Sequence, residues 1–215
     1  MKNINKLIDH TLLKPEATSD QVLKLCEEAR LHDFASVMVN SSYVSLCKKE
    51  LLHTDVKVAT VIGFPLGACS THTKLEEVRQ ALRDGANEFD MVLNIGKLKE
   101  GKLDEVTQEI IAIKEIVPEY VLKVIIETSL LSEQDKINAC KCVTDAKAEF
   151  IKTSTGFSTH GATVEDVALL RKHVGKDVQV KASGGVRSYD DLVKMHEAGA
   201  TRIGTSSGVS LMSAQ

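Results

Sequence analysis

The chain has 215 residues, 43% of them hydrophobic and 27% charged, the balance of a globular protein with a sizeable core. Its 27 basic and 30 acidic residues leave a net charge of -3, which offers no basic face to a nucleic acid. No apolar run approaches the roughly 20 residues of a membrane span, and "MKNINKLIDH" lacks the apolar core of a signal peptide, so a cytoplasmic location is expected.

Strand-like and helix-like stretches alternate from end to end. "LIDHTLL" is a first short apolar strand. "TSDQVLKLCEEARLHD" follows, with Val22, Leu25, Cys26 and Ala29 at helical spacing and a capping-box pair in Thr18 and Gln21. "FASVMVN" and "VKVATVIGF" are the next strands, and "TKLEEVRQALRDG" is a helix with Leu75, Val78 and Leu82 on one face and a stop at Gly85. The strand "EFDMVLN" leads to the helix "LDEVTQEIIAIKEIVP", with Leu103, Val106, Ile110 and Ile113 on one face and its end near Pro118. "YVLKVIIET", "EFIKTST", "VQVKASGG" and "TRIGTSS" complete eight strands, with Ser132, Thr163 and Ser188 as N-caps of the later helices and a short helix at the end.

Eight strands in this length allow roughly 27 residues per unit, the economy of a small (β/α)8 TIM barrel. A single barrel domain over residues 1–215 is therefore expected; an open doubly wound sheet has the same alternation. The five cysteines (26, 47, 69, 140 and 142) are odd in number and irregular in spacing, so disulfides are not expected in a reducing compartment. Cys140 and Cys142 point in different directions from one helix. The seven histidines form no ligand pair, so no metal is expected.

Side chains alternate along a strand. In the fourth strand Phe89, Met91 and Leu93 oppose Glu88, Asp90 and Asn94; in the fifth Val124 and Ile126 oppose Lys123 and Glu127. In the sixth Ile151 and Thr153 oppose Lys152 and Ser154; in the seventh Val178, Val180 and Ala182 oppose Gln179, Lys181 and Ser183. In a barrel the apolar faces would meet the helices and the polar faces would line the interior, where barrel enzymes hold their sites toward the C-terminal ends of the strands. Counting four residues on from Ala86, Ala148 and Ala200, which occupy similar helix-to-strand turns, gives Asp90, Lys152 and Gly204. Asp90, Lys123, Lys152 and Lys181 are thus expected in one lumen. Either they form a salt-bridged network with Asp9 and Glu127, or they are a reactive site.

A free lysine titrates near about 10.4 and cannot attack a carbonyl while protonated. On neighbouring strands roughly 4.8 Å apart, two ammonium groups repel by ~3 kcal/mol at an effective dielectric of ~20, enough to lower a pKa by about 2. Desolvation acts in the same direction. One lysine of the group then becomes a neutral nucleophile able to form an imine, and the other stays charged for proton transfer. In the last two units Gly184-Gly185 and Gly204 through Ser206-Ser207 lead into helices, and Gly156 follows the sixth strand. Such turns favour a phosphate.

"LIDHTLLKP", "TVIGFPLGA", "EFDMVLNIG", "LKVIIET", "FIKTSTGF", "VKASGGVR" and "RIGTSS" together resemble the bacterial-type 2-deoxyribose-5-phosphate aldolase family, over almost the whole chain. The resemblance implies a metal-independent class I aldolase. Its substrate would be 2-deoxy-D-ribose 5-phosphate, cleaved reversibly to glyceraldehyde 3-phosphate and acetaldehyde in deoxyribonucleoside catabolism. No cofactor, nucleic acid or membrane is implied, and relatives form homodimers or higher homo-oligomers. Lys152 would form the imine, Lys181 would lower its pKa, and Asp90 would join Lys181 and a water in a proton relay. Asp9, Thr11 and Lys123 would support the substrate hydroxyls, and Gly156, Gly184, Gly185, Gly204, Ser206 and Ser207 would bind the phosphate. Another imine-forming phosphosugar lyase or transaldolase of this fold, or a non-catalytic phosphosugar sensor, are the alternatives.

The chain departs from the family pattern in places. Phe157 stands where some relatives carry a lysine, and "VSLMSAQ" has no terminal tyrosine. In "SVMVNSSYV", Met38 and Ser41 stand where relatives often have cysteine and proline. A thioether cannot form a thiol adduct with a reactive aldehyde, so activity should survive exposure to crotonaldehyde. A time course with adduct mapping checks this; rapid inactivation with an adduct near Met38 counts against it.

Overall fold

The computed structural model describes residues 3–213. Its eight strands are β1 (Ile8–Leu12), β2 (Ser36–Val39), β3 (Lys57–Ile62), β4 (Glu88–Val92), β5 (Val121–Ile125), β6 (Phe150–Lys152), β7 (Gln179–Ser183) and β8 (Ala200–Thr205). Each pairs in parallel with the next, and β8 closes on β1, so the sheet is a closed barrel and not an open doubly wound one. The connecting helices are α1 (Ser19–Leu31), α2 (Val44–Glu50), α3 (Thr71–Asp84), α4 (Ile95–Lys99), α5 (Leu103–Ile116), α6 (Glu133–Asp145), α7 (Val164–His173), α8 (Tyr189–Glu197) and α9 (Gly208–Ser213).

The expected caps are in place. Thr18, Ser132 and Ser188 each close a capping box, at the starts of α1, α6 and α8, and Thr163 caps α7. Gly85 ends α3 in the left-handed conformation. Helices α2 and α4 are additions to the sequence reading. Each is short: α2 has no side-chain cap and α4 is capped by Asn94, which lies beyond β4 and not on its polar face.

Two packing regions follow from strand alternation. The larger lies between barrel and helices and takes Val37, Val58, Phe89, Met91, Val124, Ile151, Val180 and Ile203 from the strands. A second, smaller cluster joins Leu13, Met38, Ala59 and Val61, with Phe64 packed on it. Val61 is in register with Asp90, and Met38 with Ala59 and Thr11. Register partners in a parallel pair share a face, so this cluster is the interior of the barrel at β2 and β3. The interior is therefore not polar throughout: one side is apolar and the other charged. All five cysteines are free thiols, and Cys140 and Cys142 are both buried.

Helix α3 departs from its expected stripe. Val78 is buried, but Leu75 and Leu82 are only half-buried, and Lys74 takes a core position at 0% exposure. Its ammonium donates to the Val92 carbonyl and to Glu109 of α5, both at 2.8 Å. Glu109 also accepts from Thr71 Oγ1 at 3.1 Å and the Asn94 amide at 3.2 Å. This buried pair ties α3, α5 and the end of β4 together. Removing one partner strands the other charge, so Glu109→Ala should cost about 3–5 kcal/mol, read as a lowered denaturation midpoint.

Candidate active site

Alternation turns Asp9 of β1, Glu88 and Asp90 of β4, Lys123 of β5, Lys152 of β6, Lys181 of β7 and Arg202 of β8 into the barrel. Lys152 and Lys181 are direct register partners, as are Asp90 and Lys123. The ladder leads from Lys123 to Phe150, not to Lys152. The stagger of tilted strands brings Lys152, two residues further along, level with Asp90.

Asp90 is the hub. Its Oδ2 accepts from Lys152 Nζ at 2.8 Å and Lys181 Nζ at 2.7 Å, and its Oδ1 accepts from Lys123 Nζ at 2.8 Å. Lys181 also donates to Asp9, and Lys123 to Glu88 at 2.5 Å. Arg202 donates to Asp9 at 2.7 Å and Glu88 at 2.9 Å, and its guanidinium lies 5.4 Å from the centre of the Phe150 ring. Ser36 Oγ completes the shell of Asp9 at 2.6 Å. The network holds four formal cations, Lys123, Lys152, Lys181 and Arg202, against three carboxylates, Asp9, Glu88 and Asp90.

Burial and the surrounding charges together set the ionisation pattern. Burial pushes Asp9 and Asp90 up, but the surrounding cations outweigh it and hold both below the usual carboxylate range. Burial pushes Lys123 down, but Asp90, Glu88 and Asp9 together raise it. Lys152 is different: it touches one carboxylate of the network, Asp90, and falls to about 8. Burial is the leading cause. Asp90 opposes it, and repulsion from Lys181 adds to it. The neighbouring ammonium that the sequence reading put first is thus a secondary contributor to desolvation.

Above Lys152 lies a cavity of about 440 Å³. Gly156, Gly184, Gly185, Gly204, Ser206 and Ser207 all border it, together with Thr11 and Lys152. Asp9, Asp90, Lys123 and Lys181 are fully buried beneath it and do not border it. Gly204 makes the arrangement possible: a Cβ there would stand 3.1 Å from Lys181 Cε and 3.0 Å from Ser183 Cβ. Glu127 is absent from the network that the sequence reading assigned it to; its carboxylate turns to Thr155.

Sequence reasoning passed over several neighbours. Arg202 is the second residue of "TRIGTSS", and Glu88 shares the polar face of Asp90; alternation was the available signal for both. Lys14 and Arg187 are exposed cations bordering the cavity, and no ion pair among the described residues uses either. Phe157 also borders it, and its ring meets Phe64 edge-on at 5.3 Å.

A closed (β/α)8 barrel with a buried lysine of lowered pKa bordering its cavity has the arrangement of barrel enzymes that hold their sites at the C-terminal ends of the strands. Comparison with known proteins makes the assignment narrower. Residues 4–213 match the family described as DeoC/LacD family aldolase. The deoxyribose-phosphate aldolase of Brevibacillus brevis is 58% identical over 98% of this chain and 95% of that protein. That of Caldicellulosiruptor saccharolyticus is 57% identical over 99% of this chain and 98% of that protein. The solved tetrameric deoxyribose phosphate aldolase of Aeropyrum pernix superposes with a TM-score of 0.91 at 33% identity, covering 98% of this chain and 89% of that one. The chain belongs to the DeoC/LacD family of aldolases.

The charges around Lys152 give opposite expectations for two variants. Borohydride trapping of acetaldehyde, which needs the neutral amine, should rise with pH and level off above about 8. Asp90→Asn removes the anion that favours the ammonium and should move the inflection down. Lys181→Met removes a repelling cation and should move it up.

Proposed function

We propose that this aldolase reversibly cleaves 2-deoxy-D-ribose 5-phosphate to D-glyceraldehyde 3-phosphate and acetaldehyde, in deoxyribonucleoside catabolism, through an imine on Lys152. The observation that carries the reading is a Lys152 amine with a pKa of about 8 bordering a cavity that the glycine- and serine-rich turns after β7 and β8 also line. The names of the full-length relatives support the substrate.

Neutral Lys152 adds to the C1 carbonyl of the open-chain sugar, and loss of water gives a protonated imine. Loss of the proton from the C3 hydroxyl drives electrons from the C2–C3 bond into the imine. Glyceraldehyde 3-phosphate departs and an enamine remains. The enamine carbon takes a proton through Asp90, Lys181 and a water; hydrolysis of the imine releases acetaldehyde and restores Lys152. Gly156, Gly184, Gly185, Gly204, Ser206 and Ser207 hold the phosphate, so its binding energy orients the far end of the substrate. Thr11, with Asp9 and Lys123 behind it, supports the hydroxyl-bearing part. The tetrameric relative supports a homo-oligomer. Among the described residues no helix is long and apolar enough to cross a membrane, and the reading places the enzyme in the cytoplasm.

Lys152→Ala should abolish both cleavage and borohydride trapping with acetaldehyde, with mass spectrometry of the native protein mapping the adduct to Lys152. Trapping of the variant at full stoichiometry would reject the assignment.

A further inference from the structure

Immediately after β5 the chain adopts a costly conformation. Glu127 has φ +55°, a left-handed value that a glutamate rarely takes, and it is 2% exposed. Its backbone neighbours are anchored to the strand that carries Lys152: the Ile126 amide donates to the Lys152 carbonyl at 3.0 Å and the Thr128 amide to the Thr153 carbonyl at 2.9 Å. No ion pair among the described residues includes Glu127. Its carboxylate instead accepts the Thr155 amide at 3.2 Å and the Thr155 hydroxyl, with Ser129 Oγ at 3.5 Å.

Thr155 passes this link on. With its hydrogen given to Glu127, its oxygen accepts the Phe157 amide at 3.0 Å. That bond closes the turn around Gly156, itself at φ +86°. The turn borders the cavity, and a Cβ added at Gly184 would lie 3.6 Å from the Gly156 Cα, so the two glycine turns are close neighbours. Glu127 itself does not border the cavity. A glycine or asparagine would occupy its backbone position with less strain. What the glutamate adds is a carboxylate long enough to reach Thr155.

We infer that Glu127 is a positioning residue for the phosphate end of the substrate: its carboxylate fixes the rotor of Thr155 and thereby the Gly156 turn, touching neither the substrate nor Lys152. The inference rests on the assignment of that turn to phosphate. Two variants test it. Glu127→Gln keeps the length and one carbonyl oxygen able to accept both the Thr155 amide and hydroxyl, as the single Glu127 Oε2 does, and Glu127→Asn suits the left-handed backbone but cannot span to Thr155. Glu127→Gln should keep KM for 2-deoxyribose 5-phosphate within about threefold of native, whereas Glu127→Asn should raise it at least tenfold, with borohydride trapping of acetaldehyde within twofold of native. The concentration of inorganic phosphate needed to inhibit cleavage should rise in parallel.

Glu127→Asn relieves the left-handed strain but leaves the Thr155 amide and hydroxyl without their acceptor, so its denaturation midpoint is read first, and Glu127→Gly, which also suits the backbone, replaces it if it folds poorly. An unchanged KM in folded Glu127→Asn or Glu127→Gly overturns the inference, as does a parallel loss of trapping, which would put the action of Glu127 at the lysine. A native enzyme that traps acetaldehyde but does not cleave the phosphosugar rejects the proposed substrate and not the link itself. In that case phosphate inhibition of trapping reads the link, and an unchanged phosphate response in folded Glu127→Asn or Glu127→Gly overturns it.

Discussion

One carboxylate organises the barrel interior. Asp90 meets three lysines from three consecutive strands, one of its oxygens shared between Lys152 and Lys181. The cations that surround it are not equivalent. Lys123 reaches Glu88 as well, Lys181 reaches Asp9, and Arg202 bridges Asp9 and Glu88. Lys152 has Asp90 alone within the network. In an interior with four formal cations for three anions, the cation with the fewest anionic partners is the least costly to neutralise. Lys152 is also the member of the set that borders the cavity. Electrostatic selection and physical access therefore fall on the same nitrogen.

The frame delivers this with little local sequence. Strand β6 has three residues, Phe150–Lys152, and Lys152 is its last. Phe150 lies under the Arg202 guanidinium, while Ile151 packs outward in the main core. Opposite the charged strands, Met38, Ala59 and Val61 fill the interior with apolar surface. That wall excludes water from one side of the ion network and contributes to the desolvation that depresses Lys152. The buried Lys74–Glu109 pair, on the helical layer, holds α3 and α5 against the end of β4 and so supports the strand that carries Asp90.

Much of this was legible before any coordinates. Period-two alternation put Asp90, Lys123, Lys152 and Lys181 on one face, and capping residues located the helix starts, because both signals are local. Arg202 and Glu88 have the same signal but no local feature that marks them as partners. Their pairing depends on closure of β8 onto β1 and on barrel stagger, both long-range properties. Lys74 defeated the apolar-stripe reading because a lysine at a core position is decided by one distant glutamate. Glu127 was misassigned for a different reason. Alternation stops applying where the strand ends at Ile125, and a left-handed backbone then turns the next carboxylate toward Thr155. The order of causes at Lys152 was also beyond the sequence, since desolvation depends on how completely the lumen is filled.

The charge imbalance also bears on the reaction coordinate. Deprotonation of Lys152 leaves three formal cations facing three carboxylates. In the proposed mechanism a protonated imine at the same nitrogen would return the fourth positive charge to a site that has already rejected it once. Passing to the enamine discharges that nitrogen again. On that mechanism the interior would favour the electron flow that breaks the carbon–carbon bond: burial, assisted by the extra fixed charge, frees the nucleophile, and the same excess would make its adduct a stronger electron acceptor.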